Sequence, residues 1–278
     1  MKAVFLALTL AATGILATTA GADGLPVVSV EVGATGVTTL GADARYVALA
    51  VPRGTLVARV QSNGGRVLRS RFVLGRLTIP AVAYDGSASG LSADGRTLVL
   101  VQPRRSFPQV KTAFAVLDAK RLRVQRRIDL RGDFSFDALS PSGSLLYLIQ
   151  YVAPDDPTRY VVRVYDLKAG RLLPGPVVDP REPDEKMRGF PATRATSPDG
   201  RWAYTLYDGA GSHPFVHALD TIAREAVCID LHGLAGRTDL FDFRLRVGAD
   251  SNTLTVQAPQ GPAAVVDTRT FQVHEPAS

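Results

Sequence analysis

Few residues of this sequence have the types and spacing that catalysis or metal binding requires. His213 and His217 are four positions apart, which on a helix would direct two imidazoles at one metal ion. Pro214 and its apolar neighbours instead predict a β segment, with no third ligand at a recognised spacing. The run 209–213 has a serine near two glycines, but no strand–turn–helix frame for a nucleophile elbow. The sequence therefore predicts no metal site and no cofactor, and it leaves the catalytic residues unassigned.

Two acidic segments are the other candidates for chemistry. The segment 179–186 carries acids at spaced positions, yet it lacks the glycine and ligand spacing of a known calcium loop. Asp155 and Asp156 are adjacent within a loop bounded by prolines, whereas glycoside hydrolysis needs two carboxylates that face each other across a cleft. We interpret both segments as solvated loops.

A turn motif recurs five times and reveals how the chain is organised. Its central residues are 43, 94, 142, 199 and 250, which are 51, 48, 57 and 51 positions apart. The fullest copy is Ser197-Pro198-Asp199-Gly200-Arg201, in which proline presets φ, aspartate accepts backbone hydrogen bonds and glycine takes a positive φ. The third copy has Ser142 in place of aspartate, and the fifth lacks the glycine. Each copy predicts a tight hairpin.

The segments around each turn also repeat. An apolar, aromatic-containing strand follows the turn, as in Trp202-Ala203-Tyr204-Thr205, and in four units a later strand ends on aspartate, as in Val162-Arg163-Val164-Tyr165-Asp166. A more polar strand and then an alternating strand, as in Phe241-Asp242-Phe243-Arg244, lead into the next turn. Period-2 alternation and β-branched residues favour strands over helices for nearly the whole chain. The sequence thus predicts five units of four strands.

Four-stranded units of about 50 residues, repeated without helices, are typical of β-propeller blades. The turn at 197–201, its aromatic strand and the later strand ending on aspartate resemble the WD40-like, TolB-type and YVTN-type propeller repeats. The resemblance covers residues 36–275 and concerns the fold, since these repeats occur in binding proteins, scaffolds and enzymes. It implies an all-β propeller of five blades, or six if a further unit is hidden, with the motif turn joining the innermost strand to the second.

Propeller topology assigns the long connections to one face. The segments 102–112, 152–160, 179–192, 207–214 and 231–241 should emerge on the same side of the ring, and long loops commonly carry function. We therefore predict a ligand at the channel mouth on this side, although ordinary surface variation would also explain the loop lengths. The candidate ligand-binding residues are Arg104, Arg105, Asp155, Arg159, Arg188, Asp208, His213, Arg237 and Asp239.

The N-terminal residues predict export. Lys2 precedes an uncharged apolar run from 3 to 17 that is short for a membrane span, and small residues at 18–22 suit signal-peptidase cleavage. We expect residues 1–22 to be a signal peptide, with an uncleaved anchor as the alternative, and the mature chain to be secreted or held in the cell envelope. Residues 23–35 form an N-terminal segment, whose run 27–32 either closes the ring or is loosely ordered, and 36–278 form the propeller.

Composition limits the partners. A hydrophobic fraction of 46% supports a buried core, and a single cysteine excludes an intrachain disulfide. The net charge is +6, but the sequence lacks the broad basic face with interleaved aromatics that nucleic-acid binding requires. We therefore expect no nucleic-acid partner. No transmembrane span is expected in the mature chain, and we expect a monomer.

Three functional hypotheses remain open from the sequence. The first is a non-enzymatic module that binds a protein, peptide or cell-surface polymer through its long loops. The second is a hydrolase or lactonase-like enzyme at the channel mouth, and the third is a purely structural envelope protein. An enzyme would bring titratable side chains from different blades to one cavity, whereas a binding module can spread its contacts over the rim.

Overall fold

A computed structural model describes residues 36–39, 41–184 and 187–274. The predicted signal peptide at 1–22, the segment 23–35 and its run 27–32 lie outside the described residues.

Within the described residues, eighteen strands form five antiparallel sheets, which follow one another along the chain. The first sheet contains β1 (Ala44–Val51), β2 (Gly54–Gln61) and β3 (Val67–Leu74), and the second contains β4 (Thr97–Val101), β5 (Lys111–Asp118) and β6 (Arg123–Arg131). The third contains β7 (Phe134–Leu139), β8 (Leu145–Tyr151), β9 (Tyr160–Asp166) and β10 (Arg171–Leu172). The fourth contains β11 (Pro191–Thr196), β12 (Trp202–Tyr207), β13 (Phe215–Asp220) and β14 (Glu225–Asp230), and the fifth contains β15 (Arg244–Val247), β16 (Thr253–Ala258), β17 (Gly261–Asp267) and β18 (Val273–His274).

The first two sheets each gain a short, irregular inner strand. Val37 exchanges both backbone hydrogen bonds with Tyr46 of β1. In the second sheet, isolated bridges join Thr78 to Val101 and Leu91 to Leu98 of β4. Each sheet is therefore a four-stranded blade in the order inner to outer, and we call them blades one to five. The predicted all-β propeller with five blades is confirmed.

Apolar side chains between neighbouring blades form the core. Separate clusters join blades one and two, two and three, three and four, and four and five, with Leu98, Leu148, Tyr147 and Phe243 among their buried members. Within the described residues, no such cluster joins blade five to blade one. The predicted closure of the ring by residues 27–32 stays a prediction.

The motif turns are stabilised by their own side chains. The Ser197 hydroxyl donates to Asp199 Oδ1 at 2.5 Å and accepts from the Trp202 amide at 2.9 Å. Ser92 and Asp94 repeat this arrangement in blade two. In the fifth turn, Ser251 stands at the glycine position after the aspartate and takes the positive φ of 59°. These turns lie together on one face, which we call the short-turn face.

Helical structure is confined to three single 3-10 turns in the described part of the chain, at Gly209–Gly211, His232–Leu234 and Leu240–Asp242. No helix among the described residues is long and apolar enough to cross a membrane.

Candidate functional site

The long connections emerge opposite the motif turns. Their described parts are 102–110, 152–159 and 208–214 between second and third strands, and 173–184, 187–190 and 231–243 between blades. We call the surface that they form, together with the start of each inner strand, the long-loop face. Blades one and five have only two-residue turns between their second and third strands, at 52–53 and 259–260. The long loops of this type therefore belong to blades two, three and four.

A hairpin at 81–88 crosses the channel mouth on this face. It is closed by the bridge between Ala81 and Ala88, and its Tyr84 amide donates to the Pro191 carbonyl of β11 at 2.9 Å. Asp85 accepts a hydrogen bond from the Thr193 hydroxyl at 2.6 Å. The hairpin belongs to the inner strand of blade two, and β11 is the inner strand of blade four. These two blades are not neighbours in the ring, so the hydrogen bonds between them span the channel. This crossing hairpin therefore obstructs the mouth.

Three aromatic side chains meet at the crossing hairpin, and one of them is its own Tyr84. The Tyr84 ring meets the rings of Phe190 and Phe241 edge to face, with centroids 5.9 and 5.6 Å apart. Tyr84 and Phe241 remain 38% and 41% exposed, whereas Phe190 is half-buried. We call these three residues the mouth aromatics. Burial raises the pKa of Tyr84 to about 12, so its hydroxyl is uncharged at neutral pH.

A buried ion pair anchors the first long loop. The guanidinium of Arg104 pairs with Asp133 at the start of blade three, and both side chains are almost fully buried. Asp133 also accepts from the Gln109 amide at 2.8 Å, and Arg104 lies 4.6 Å from the centre of the Tyr151 ring. These contacts fix the loop of blade two against blade three. The geometry therefore gives Arg104 a positioning role in this loop.

A second buried ion pair joins two inner strands. Arg194 of β11 pairs with Asp137 of β7, and its guanidinium also donates to the Asp137 carbonyl at 3.0 Å. Arg194 Nε and Asp137 Oδ2 have no hydrogen-bond partner among the described residues. Burial raises the pKa of the neighbouring Tyr160 and Tyr207, which keeps both phenols neutral. Charged and phenolic groups from two blades thus converge inside the ring.

The cavity at this convergence is small. It is lined by Ser135, Asp137, Tyr160 and Tyr207, among others, and its volume is about 30 Å³. A cavity of this volume holds only a few water molecules. The site has polar groups that would suit chemistry, but it is far smaller than a small-molecule site.

A larger cavity of about 360 Å³ lies between blades three and four, and residues of the segment 176–184 and Met187 form part of its lining. Arg159, Val162, His217 and Cys228 contribute to its lining. His217 is buried, and its Nε2 atom has no hydrogen-bond partner among the described residues. Burial lowers the pKa of His217 to about 4, so the ring is neutral at physiological pH.

The candidate residues from the sequence fall into different environments. Arg104 is buried in its ion pair, and Asp208 caps a 3-10 turn by accepting from the amides of Phe190 and Ala210. Arg237 and Asp239 pair with each other, and His213 lies 2.9 Å from Asp230. The remaining four are exposed on the long-loop face: Arg105, Asp155, Arg159 and Arg188. Ligand binding by any of these residues stays a prediction.

Sequence reasoning missed the mouth aromatics and Asp230. Tyr84 lies in a hairpin within the connection 75–96, which was not among the long loops predicted from the sequence. Phe241 belongs to the alternating segment Phe241-Asp242-Phe243-Arg244, which predicted a strand, but the structure places it in a 3-10 turn. Asp230 is the last residue of β14 and has no distinguishing motif.

No protein-family model matches this sequence, and no curated protein is similar to it. Among solved structures, Kuenenia stuttgartiensis hydrazine synthase is similar over 86% of this chain and 70% of that chain, with 13% identity and a TM-score of 0.49. TolB from Acinetobacter baumannii is similar over 84% and 63%, with 14% identity and a TM-score of 0.40. The Cps50 (Swd1) propeller domain of Myceliophteria thermophila is similar over 84% and 67%, with 11% identity and a TM-score of 0.47. The five-bladed β-propeller is established by the sheets of this chain, and the similarity to these proteins concerns the fold alone.

Proposed function

We propose that this chain is an exported, non-enzymatic binding module whose long-loop face holds a protein or peptide segment. The observation that carries the proposal is the cluster of mouth aromatics, which stands partly exposed over an obstructed channel. Exposed aromatic groups that are fixed in place bury apolar area on binding with little loss of side-chain entropy.

The surroundings of the mouth aromatics suit a protein partner. Binding hot spots combine an apolar centre with a polar rim that excludes water. Here Arg105, Asp155 and Arg188 are exposed on the adjoining loops, and Val110 and Val152 add exposed apolar surface on the same face. A partner segment with apolar side chains and both charge signs would complement this surface.

The hydrolase or lactonase-like alternative has weaker support. Its best candidate groups are Asp137, Tyr160 and Tyr207, which meet at the cavity of about 30 Å³. A small-molecule site usually has about 300–1,000 Å³. A substrate would therefore require the crossing hairpin or the loop around Phe190 to move.

Export is part of the proposal and rests on the apolar N-terminal run at residues 3–17 and the small residues that follow it. An extracytoplasmic chain of this kind would meet secreted or surface-displayed proteins. A surface polymer would be the alternative partner.

The test begins with peptides selected from a random display library against residues 23–278. Their dissociation constants are then measured by titration calorimetry with the unchanged chain and with the double variant Tyr84→Ser/Phe241→Ser. We expect at least a tenfold loss of affinity, because the variant removes the exposed apolar centre. The control is Ile222→Ser, since Ile222 is 59% exposed on the short-turn face.

Equal loss of affinity in the Ile222→Ser control, or unchanged affinity in the double variant, would contradict the proposed face. Binding of anionic polysaccharide without peptide binding would favour the polymer alternative. Melting curves of both variants establish that a loss of affinity is not a loss of folding.

A further inference from the structure

Three potential metal-ligating side chains meet at the edge of blade four. His213 belongs to the loop before β13, Asp230 ends β14, and His232 begins the following 3-10 turn. His213 Nε2 lies 2.9 Å from Asp230 Oδ1, and His232 Nε2 lies 3.9 Å from Asp230 Oδ2. The two imidazole rings are 4.5 Å apart between centroids.

The backbone holds this cluster in place. Phe215 of β13 is directly opposite Asp230 in the ladder, and the Leu231 amide donates to the Pro214 carbonyl at 2.9 Å. The Ala235 amide donates to the His232 carbonyl and closes the 3-10 turn. Residues 213 and 230–232 are therefore fixed relative to each other by hydrogen bonds that do not involve their side chains.

The distances suit a shared metal ion. Ligand atoms about 2.0–2.2 Å from one zinc ion stand roughly 3–3.5 Å from each other. One potential ligand atom from each of the three side chains lies within 4.8 Å of the others. Since His232 is 74% exposed, its side chain can rotate to shorten the longest of these distances.

A second contact orients one ligand. The Ser212 hydroxyl lies 3.4 Å from His213 Nδ1, which leaves Nε2 directed at Asp230. Hydrogen bonds to the non-ligating nitrogen commonly orient a metal-binding histidine.

We propose that His213, Asp230 and His232 bind one divalent transition-metal ion of the zinc class on the long-loop face. Two imidazoles and one carboxylate favour zinc, cobalt or nickel over magnesium and calcium, which prefer oxygen ligands alone. The three side chains leave coordination positions open to solvent, because Asp230 and His213 are each about one-third exposed. Water or an acidic group of a partner would complete the coordination.

The test titrates zinc into residues 23–278 after removal of any affinity tag, with cobalt absorption as a second readout of tetrahedral coordination. We expect one zinc ion per chain with micromolar or tighter affinity, and at least a tenfold loss in His213→Ala, Asp230→Asn and His232→Ala. The matched control is His274→Ala, because His274 is exposed on β18 and distant in sequence from the cluster.

Zinc affinity weaker than about 100 μM, or equal loss of affinity in His274→Ala, would overturn the proposal. The Tyr84→Ser/Phe241→Ser variant should bind zinc normally. The zinc proposal and the peptide-binding proposal can therefore be contradicted independently of each other.

Discussion

The two faces of this propeller are stabilised over very different distances along the chain. On the short-turn face, the Ser197, Asp199 and Trp202 hydrogen bonds span at most five residues. On the long-loop face, the bond from Thr193 to Asp85 joins residues 108 positions apart, and Arg104 pairs with a residue 29 positions away. The turns of the first face are therefore stabilised mainly by local hydrogen bonds, and the second face by contacts between blades.

The aspartates that end the third strands also make hydrogen bonds to residues close to them in sequence. Asp166 accepts hydrogen bonds from the amides of Lys168 and Ala169, and Asp220 accepts from those of Ile222 and Ala223. Such side chains stabilise tight turns by replacing backbone acceptors. Their recurrence in the sequence reflects folding of each blade rather than a ligand site.

The largest expected effect concerns the buried ion pair of the long-loop face. Asp133→Ala should lower the free energy of unfolding by about 4 kcal/mol, because it leaves Arg104 buried without its partner. Urea unfolding measures the change. The control is Asp239→Ala, which removes the solvent-facing partner of Arg237 and should leave the unfolding midpoint almost unchanged. If Asp133→Ala and Asp239→Ala changed the free energy of unfolding by similar amounts, the buried pair between blades would be no more important than a local surface pair.

Acidification should destabilise the packing between blades three and four through His217. The unfolded chain binds a proton near pH 6.5, whereas the folded chain does so only near pH 4, so the free energy of unfolding falls as the pH drops between these values. The full loss is about 3 kcal/mol. Asp137, Arg194 and Asp179 are the charged groups acting on this ring.

His217→Leu should abolish that part of the pH dependence. Unfolding curves from pH 7 to 4.5 compare this variant with His274→Leu, which changes an exposed histidine. Protonation of carboxylates that are stabilised in the folded state lowers the free energy of unfolding of both variants at low pH. The difference between the two pH profiles therefore reports on His217 alone. Parallel pH profiles would contradict a buried neutral ring.

A pair of glycine substitutions tests how far the short-turn face is local. Gly95 and Gly200 have φ values of +68° and +73°, but only at Gly200 would a new Cβ lie 2.4 Å from another atom, the Ala93 Cβ in the turn of blade two. We expect Gly95→Ala to cost about 1 kcal/mol and Gly200→Ala about 2 kcal/mol. Equal costs in urea unfolding would show that the turn of blade four is as self-contained as that of blade two.

The smallest expected effect is the loss of one turn hydroxyl. Ser197→Ala should cost about 1 kcal/mol, because the Trp202 amide loses its acceptor. The fluorescence of Trp202, the sole tryptophan of the chain, follows unfolding next to the substitution. Ser142→Ala is the control, since Ser142 is exposed in the third turn. The Ser142 hydroxyl lies 3.0 Å from the Ser144 hydroxyl, and a larger effect of Ser142→Ala would show that the third turn depends on this contact.

Much of the fold could be predicted because each blade repeats the same turn and strand pattern. The turn at 197–201, the apolar strand after it and the strand ending on Asp220 all have short-range causes, so they recur in recognisable form. The candidate site was less predictable. His213 was considered with His217, but the strand ladder turns His217 into the core and brings Asp230 and His232 to His213.

The sequence by itself determined the turns and the strands, because hydrogen bonds within a few residues and period-2 burial decide these features. It left five or six blades open, and the five sheets of the structure decided between them. The tertiary structure alone decided that Arg104 and Asp133 are buried together, that Tyr84 lies against Phe190 and Phe241, and that the channel mouth is crossed. These contacts join blades that are distant in sequence. The contacts form only when the sheets pack around one axis, so no local sequence pattern predicts them.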